Sequence, residues 1–125
     1  MDFKLELVML PVTDVDRAKA FYEERCGFHL DLDEAPMPDL RIVQLTPPGS
    51  GCSIAFGTGF ITTPPGSVQG LHLVVQDIHA ARADLVERGL EIGEVVEMGA
   101  PGKPSVSYAA FTDPDGNGWT LQQLP

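Results

Sequence analysis

Leu10-Pro11-Val12-Thr13-Asp14-Val15-Asp16-Arg17-Ala18-Lys19-Ala20-Phe21-Tyr22 decides the fold, because its pattern occurs twice in the chain. Upstream of it, Leu5 to Val12 is apolar at both alternate sets of positions, which predicts a strand covered on both faces. Asp14 is placed to cap a helix, since its carboxylate can accept from the free N–H groups of the first turn. Val15, Ala18 and Tyr22 then share one helical face, with charges elsewhere, and Gly27 sits where a helix end takes a left-handed residue. The pattern restarts with a strand at Leu71 to Val75, a cap at Asp77, a stripe of Ile78, Ala81 and Leu85, and a stop at Gly89. Val12 and Val75, Asp14 and Asp77, Val15 and Ile78, Ala18 and Ala81, and Tyr22 and Leu85 are each 63 apart; the two glycines are 62 apart.

Outward from these anchors, the first half continues with strands at Phe28 to Asp33, Leu40 to Thr46 and Cys52 to Gly57. Pro36-Met37-Pro38 is expected to break the first of these, and Pro47 to Gly51 to form a turn. The second half continues with strands at Glu91 to Val96, Val106 to Thr112 and Trp119 to Gln123, the last after the turn Asp113-Pro114-Asp115-Gly116-Asn117-Gly118. Each half therefore reads βαβββ, and the fold class is α+β. The modules are 1–57 and 70–125, with a Gly, Thr and Pro-rich connector over 58–69, and together they make a single domain. One helix cannot cover both faces of a four-stranded sheet, so the second module is expected to cover the first. Two sheets curving toward each other would leave a ligand cleft between their helix-free faces.

Composition narrows the function. A net charge of −10 with eight Lys and Arg argues against a nucleic-acid partner or an anionic membrane surface. No run approaches the length of apolar residues that crosses a bilayer, and Met1-Asp2-Phe3-Lys4 does not resemble a secretory leader, so a cytoplasmic location is expected. Cys26 and Cys52 then read as reduced thiols.

The segment 10–22, Gly27-Phe28 after the helix and Asp-Pro-Asp-Gly-Asn-Gly at 113–118 resemble the vicinal oxygen chelate superfamily. It includes glyoxalase I, extradiol dioxygenases, and fosfomycin- and bleomycin-resistance proteins. The resemblance covers essentially the whole chain and implies a fold rather than a reaction. In the metalloenzymes of this superfamily, four strands each present one His, Gln or Glu to a divalent ion. Carried over position by position, the resemblance puts those ligands at Leu7, Ala55, Gly70 and Thr120. Leu, Ala and Gly supply no side-chain donor and Thr is at best a weak one, so no metal and no cofactor are expected.

Strand alternation assigns the remaining residues. With Gly70 facing the cleft, His72 and Val74 face it too, while Leu71, Leu73 and Val75 pack on the helices. Leu5, Leu7 and Met9, then Ser53, Ala55 and Gly57, then Thr120 and Gln122 share that surface, and Tyr108 joins it. Trp119 is expected near the cleft edge. His72 reads as a pocket-lining or core histidine, as a hydrogen-bonding contact to a ligand, or as a general base. The candidate ligand-binding residues are thus His72, Gln122, Thr120, Tyr108, Met9, Leu7, Ser53 and Trp119. His29 and His79 are expected to be solvated, and the Asp113 to Gly118 turn to be structural rather than a calcium loop.

The surface so defined suits a small, apolar or aromatic ligand. The resemblance then implies a metal-free binding protein similar in mode to the bleomycin-resistance proteins, and a homodimer. Two other classes stay open: an isomerase, lyase or dioxygenase that is metal-independent or has relocated ligands, and an interaction module whose cleft is filled.

Overall fold

A computed structural model describes residues 1–125. The chain runs β1 (Leu7–Met9), α1 (Val15–Ala20), β2 (His29–Met37), β3 (Leu40–Thr46), β4 (Ser53–Thr58), β5 (Leu71–Val74), α2 (Ile78–Glu87), β6 (Val96–Met98), β7 (Val106–Thr112) and β8 (Gly118–Gln123). A π-helical segment, Phe21–Arg25, extends α1. The strands form two four-stranded sheets, ordered β1-β4-β3-β2 and β5-β8-β7-β6. In each sheet the first strand pairs in parallel with the last, and the other pairings are antiparallel. The fold is the tandem βαβββ arrangement that the repeat predicts.

The local signals act as read. The carboxylates of Asp14 and Asp77 accept from the N–H groups of Arg17 and Ala80, each three residues on. Ala18, Tyr22, Ile78 and Leu85 are buried. The repeat also has a consequence at the helix ends. Arg25 donates to the Arg88 carbonyl at 2.9 Å, and Arg88 donates to the Glu24 carbonyl at 3.4 Å. Two guanidinium groups, themselves 63 residues apart, thus each cap the other module's helix at its negative end. Gly27 and Gly89 have φ of +72° and +91°, and a Cβ on either would lie within 3 Å of the opposite arginine. Both glycines serve a left-handed turn and a close approach at once.

Where the modules meet differs from expectation. Tyr22 of the first helical segment packs on Phe28 and Phe56, and also on Trp119 of β8, with ring centroids 5.7 to 5.9 Å apart. Val43, Leu45, Ile54 and Phe56 of the first sheet join Ala109, Phe111, Trp119 and Leu121 of the second in one core with both helices. The modules therefore share their helix-bearing sides. Aromatic area is concentrated there, and burying it is the larger gain. The helix-free faces are left open: Met9 is 51% and Val74 61% exposed. The helix-free faces are not closed over each other within one chain, and the cavities between the modules are lined by residues of both.

Three strand boundaries also shift. β1 is shorter than Leu5 to Val12, because Pro11 has no N–H to continue the ladder. β2 runs on through Pro36 and Met37, since it is an edge strand and its register slips between Glu34 and Met37. β6 begins at Val96 rather than Glu91, because Arg82 of α2 takes the carbonyls of Ile92 and Gly93 and only the Gly93 N–H reaches β7.

Candidate ligand-binding face and inter-module cavities

β5, β7 and β8 bring four of the sequence-derived residues together. His72 lies opposite Thr120, which lies opposite Ala110; Val74 lies opposite Gln122, which lies opposite Tyr108. All six therefore share one face, the reverse of the one carrying Ala109, Phe111, Trp119 and Leu121. The rings of His72 and Tyr108 meet edge to face at 6.2 Å. His72 Nδ1 is 2.8 Å from the Gly70 carbonyl, which orients the imidazole and directs Nε2 away from its own strand. No carboxylate is bonded to this imidazole, so the dyad that would make it a strong general base is not assembled.

The first sheet presents the matching surface. Leu7 pairs with Ser53 and Met9 with Ala55, and Gln44 lies opposite Ala55 on the far side. Ser53 is buried despite this placement, sharing a 2.6 Å hydrogen bond with Thr46. Trp119 departs from the expected set. It is 4% exposed, stacks on Phe111 in the core, and donates Nε1–H to the Tyr22 hydroxyl at 3.0 Å. Its position in β8 is odd where Thr120 is even, so it turns to the helix side.

Plain alternation of Phe28, Leu30 and Leu32 against His29, Asp31 and Asp33 does not hold through β2. A register shift between Leu30 and Leu32 inserts Asp31 as an extra residue and reverses the phase beyond it. Asp33 turns to the helix side, where Lys19 and Arg41 bond it at 2.9 to 3.0 Å and hold its carboxyl well below the usual carboxylate range. The opposing hydrogen bonds raise Arg41 further. Leu32, opposite Gln44, turns to the helix-free side. Asp31 accepts there from Thr46 Oγ1, and from Gln44 Nε2 at 3.3 Å. Nothing in the bare alternation of Phe28 to Asp33 signals that bulge.

Two cavities flank the free edge of β5. The larger, about 430 Å³, is lined by Cys26, Phe28, Leu73, Val75, Leu85 and Phe111 among others. The smaller, about 270 Å³, lies between β1 and β5 and includes Leu5, Val8, Gly70, Leu71 and Trp119. Ser50 and His72 line both. Burial, with a smaller contribution from Asp113, pushes the Cys26 thiol up to about 12, so it lines its cavity as a neutral group rather than a thiolate. Both cysteines are free.

The Asp113 to Gly118 turn is committed to structure. Asp113 Oδ1 accepts from the backbone of Asp115 and Asn117, and Oδ2 accepts from Tyr22 and from Asn117 Nδ2 at 2.7 to 2.9 Å. Asn117 Nδ2 also reaches the Pro11 carbonyl, which ties the turn to the end of β1. Four donors on one carboxylate leave it no place for a cation. Burial and the Asp113 charge lift the Tyr22 hydroxyl far above its ordinary value, so it stays protonated and donating. His29 and His79 are exposed.

Leu7, Ala55, Gly70 and Thr120 do not suit a divalent ion. The first two are hydrocarbon, Thr120 offers one neutral hydroxyl, and a Cβ placed on Gly70 would meet only open space.

Two open sheet faces, joined through a helix-lined core, define a glyoxalase-type module pair. The chain belongs to the glyoxalase/bleomycin resistance protein/dioxygenase superfamily, whose family model matches residues 4–121. Among solved structures it is similar to TnmS3, an antibiotic binding protein from Streptomyces sp. CB03234, at 37% identity and a TM-score of 0.80, covering 99% of this chain and 98% of that one. A glyoxalase/bleomycin resistance protein from the same organism is 38% identical, with a TM-score of 0.76 and coverage of 96% and 100%. A member of the superfamily from Sphaerobacter thermophilus DSM 20745 is 28% identical, with a TM-score of 0.78 and 98% of each chain covered. A comparison with curated proteins found no match. No helix of this chain is long and apolar enough to cross a membrane.

Proposed function

We propose that the protein binds and sequesters an apolar or aromatic small molecule on its helix-free faces, without a metal and without turning it over. The observation that carries this reading is the lining. Leu7, Met9 and Val74 supply hydrocarbon, while His72, Tyr108, Thr120 and Gln122 supply neutral hydrogen-bonding groups. The side chains at the family's metal positions support the metal-free part, and the absence of a carboxylate behind His72 favours binding over proton transfer. The antibiotic-binding relative TnmS3 supports a small-molecule ligand. The exposure of Met9 and Val74 on the helix-free faces counts against a filled-cleft interaction module.

The open faces also support a homodimer, in which the first sheet of one copy closes over the second sheet of the other. Met9, Val74, Val96 and Met98 are exposed on or beside these faces, a set of apolar residues that a partner copy would cover. Two unpaired cysteines fit a cytoplasmic location. Elemental analysis of protein purified without added metal tests the central part of this reading. Substoichiometric zinc, iron, manganese and nickel are expected; one tightly held divalent ion per chain contradicts it.

A further inference from the structure

The sequestering surface has a charge preference, and this inference rests on the small-molecule-binding reading above. We propose that Asp31 makes the cleft select ligands carrying a basic amine, with its carboxylate as the counter-ion. The bulge in β2 puts this carboxylate beside the ligand face, where it is about 25% exposed. Bulges re-aim side chains in this way next to functional sites. Thr46 and Gln44 hold Oδ2, and Thr46 is bonded in turn to buried Ser53, so the carboxylate is fixed by the sheet itself. Oδ1 accepts no hydrogen bond and stays available. The imidazole of the mostly exposed His29 stands beside it, with Nε2 3.8 Å from Oδ1.

Around it, both helix-free faces lack a lysine or arginine. Glu34, opposite Ile42, adds a second carboxylate to the first sheet. Arg41 and Lys19 are on the other side, engaged with Asp33, and Arg41 also reaches Asp16 at 2.9 Å. An overall charge of −10 draws cations toward this surface at long range. An ammonium attached to an aromatic body would satisfy Asp31 Oδ1 while its ring packs on Leu32 and Ile42 of the same face. An anionic ligand would meet two carboxylates and no counter-charge.

The test uses a matched pair of aromatic probes, 1-naphthylmethylamine and 1-naphthylmethanol, titrated calorimetrically into the full chain at low salt. The amine is expected to bind roughly three- to tenfold more tightly than the alcohol, in the range of a partly exposed charge pair. Asp31→Asn should level the two, and about 0.5 M salt should erode the preference in the unaltered protein. Asp39→Asn, an exposed acid in the β2–β3 turn, should leave the preference in place. Equal affinity for both probes in the unaltered protein overturns the proposal and leaves the binding reading intact. So does a preference that survives in Asp31→Asn, or one that Asp39→Asn removes equally. Binding of neither probe at millimolar concentration overturns the small-molecule reading and this proposal with it.

Discussion

Tyr22→Phe removes one oxygen and unsettles two partners. Asp113 loses a 2.7 Å donor, and Trp119 Nε1–H loses its acceptor inside the core. The expected cost is about 1–3 kcal/mol in unfolding free energy. Trp119 is the only tryptophan, so its fluorescence in the native state should shift in the same variant. Chemical denaturation followed at that signal measures both; an unchanged midpoint and spectrum would refute the role given to the hydroxyl. Asp33 makes a pH-dependent prediction. Lys19 and Arg41 hold its folded carboxyl below the unfolded value of about 3.9, so its contribution is present above that value and is lost as pH falls through and below it. Asp33→Asn should therefore lower stability near neutrality and flatten the decline between roughly pH 5 and 2. Melting curves across that range read the difference directly. The sequence shows the caps Asp14 and Asp77 and the common face of His72 and Thr120, since each depends on near neighbours or on alternation. It does not show that Tyr22, read only as an apolar helix position, bonds Asp113, 91 residues away.

At the scale of elements, the helix ends are the sharpest case. Gly89→Ala places a Cβ 2.6 Å from Arg25 Nη1 at a φ of +91°, so strain and a displaced cap add together. A loss of about 1–3 kcal/mol is expected for the backbone conformation alone. Arg25→Ala combined with Gly89→Ala should cost less than the sum of the two, because the clash is then absent. Additive losses in thermal melts would remove the reciprocal-cap account. Both glycines are visible in the sequence as helix stops. That each also makes room for the other module's arginine depends on how the helices meet, which periodicity does not encode. β2 teaches the same lesson. Alternation assigns Asp31 and Asp33 to one face, and a single inserted residue separates them, sending one to the helix-free side and one to Lys19 and Arg41. β6 starts later than its apolar pattern implies because Arg82 of α2 takes the carbonyls of Ile92 and Gly93 ahead of it.

For the whole molecule, the 63-residue repeat shows that two sheets exist, but not which sides they join. The aromatic cluster of Tyr22, Phe28, Phe56, Phe111 and Trp119 settles that in favour of the helix sides, and so leaves the helix-free faces uncovered within one chain. The proposed homodimer predicts twice the chain mass in sedimentation equilibrium at micromolar concentration. Val74→Asp, a charge placed on the exposed edge of the second face, should shift it toward monomer; a native protein that is monomeric throughout would rule out the shared cleft. The central claim is that these faces, and not a metal centre, hold the ligand. Chemical-shift mapping with 1-naphthylmethanol on isotope-labelled protein, before and after treatment with a chelator, tests it most directly. The account predicts perturbations centred on Met9, Ser53, His72, Tyr108, Thr120 and Gln122 that are the same in both samples. Perturbations confined to the helix-side cavity around Cys26, Leu85 and Phe111, or lost on adding chelator, would contradict it.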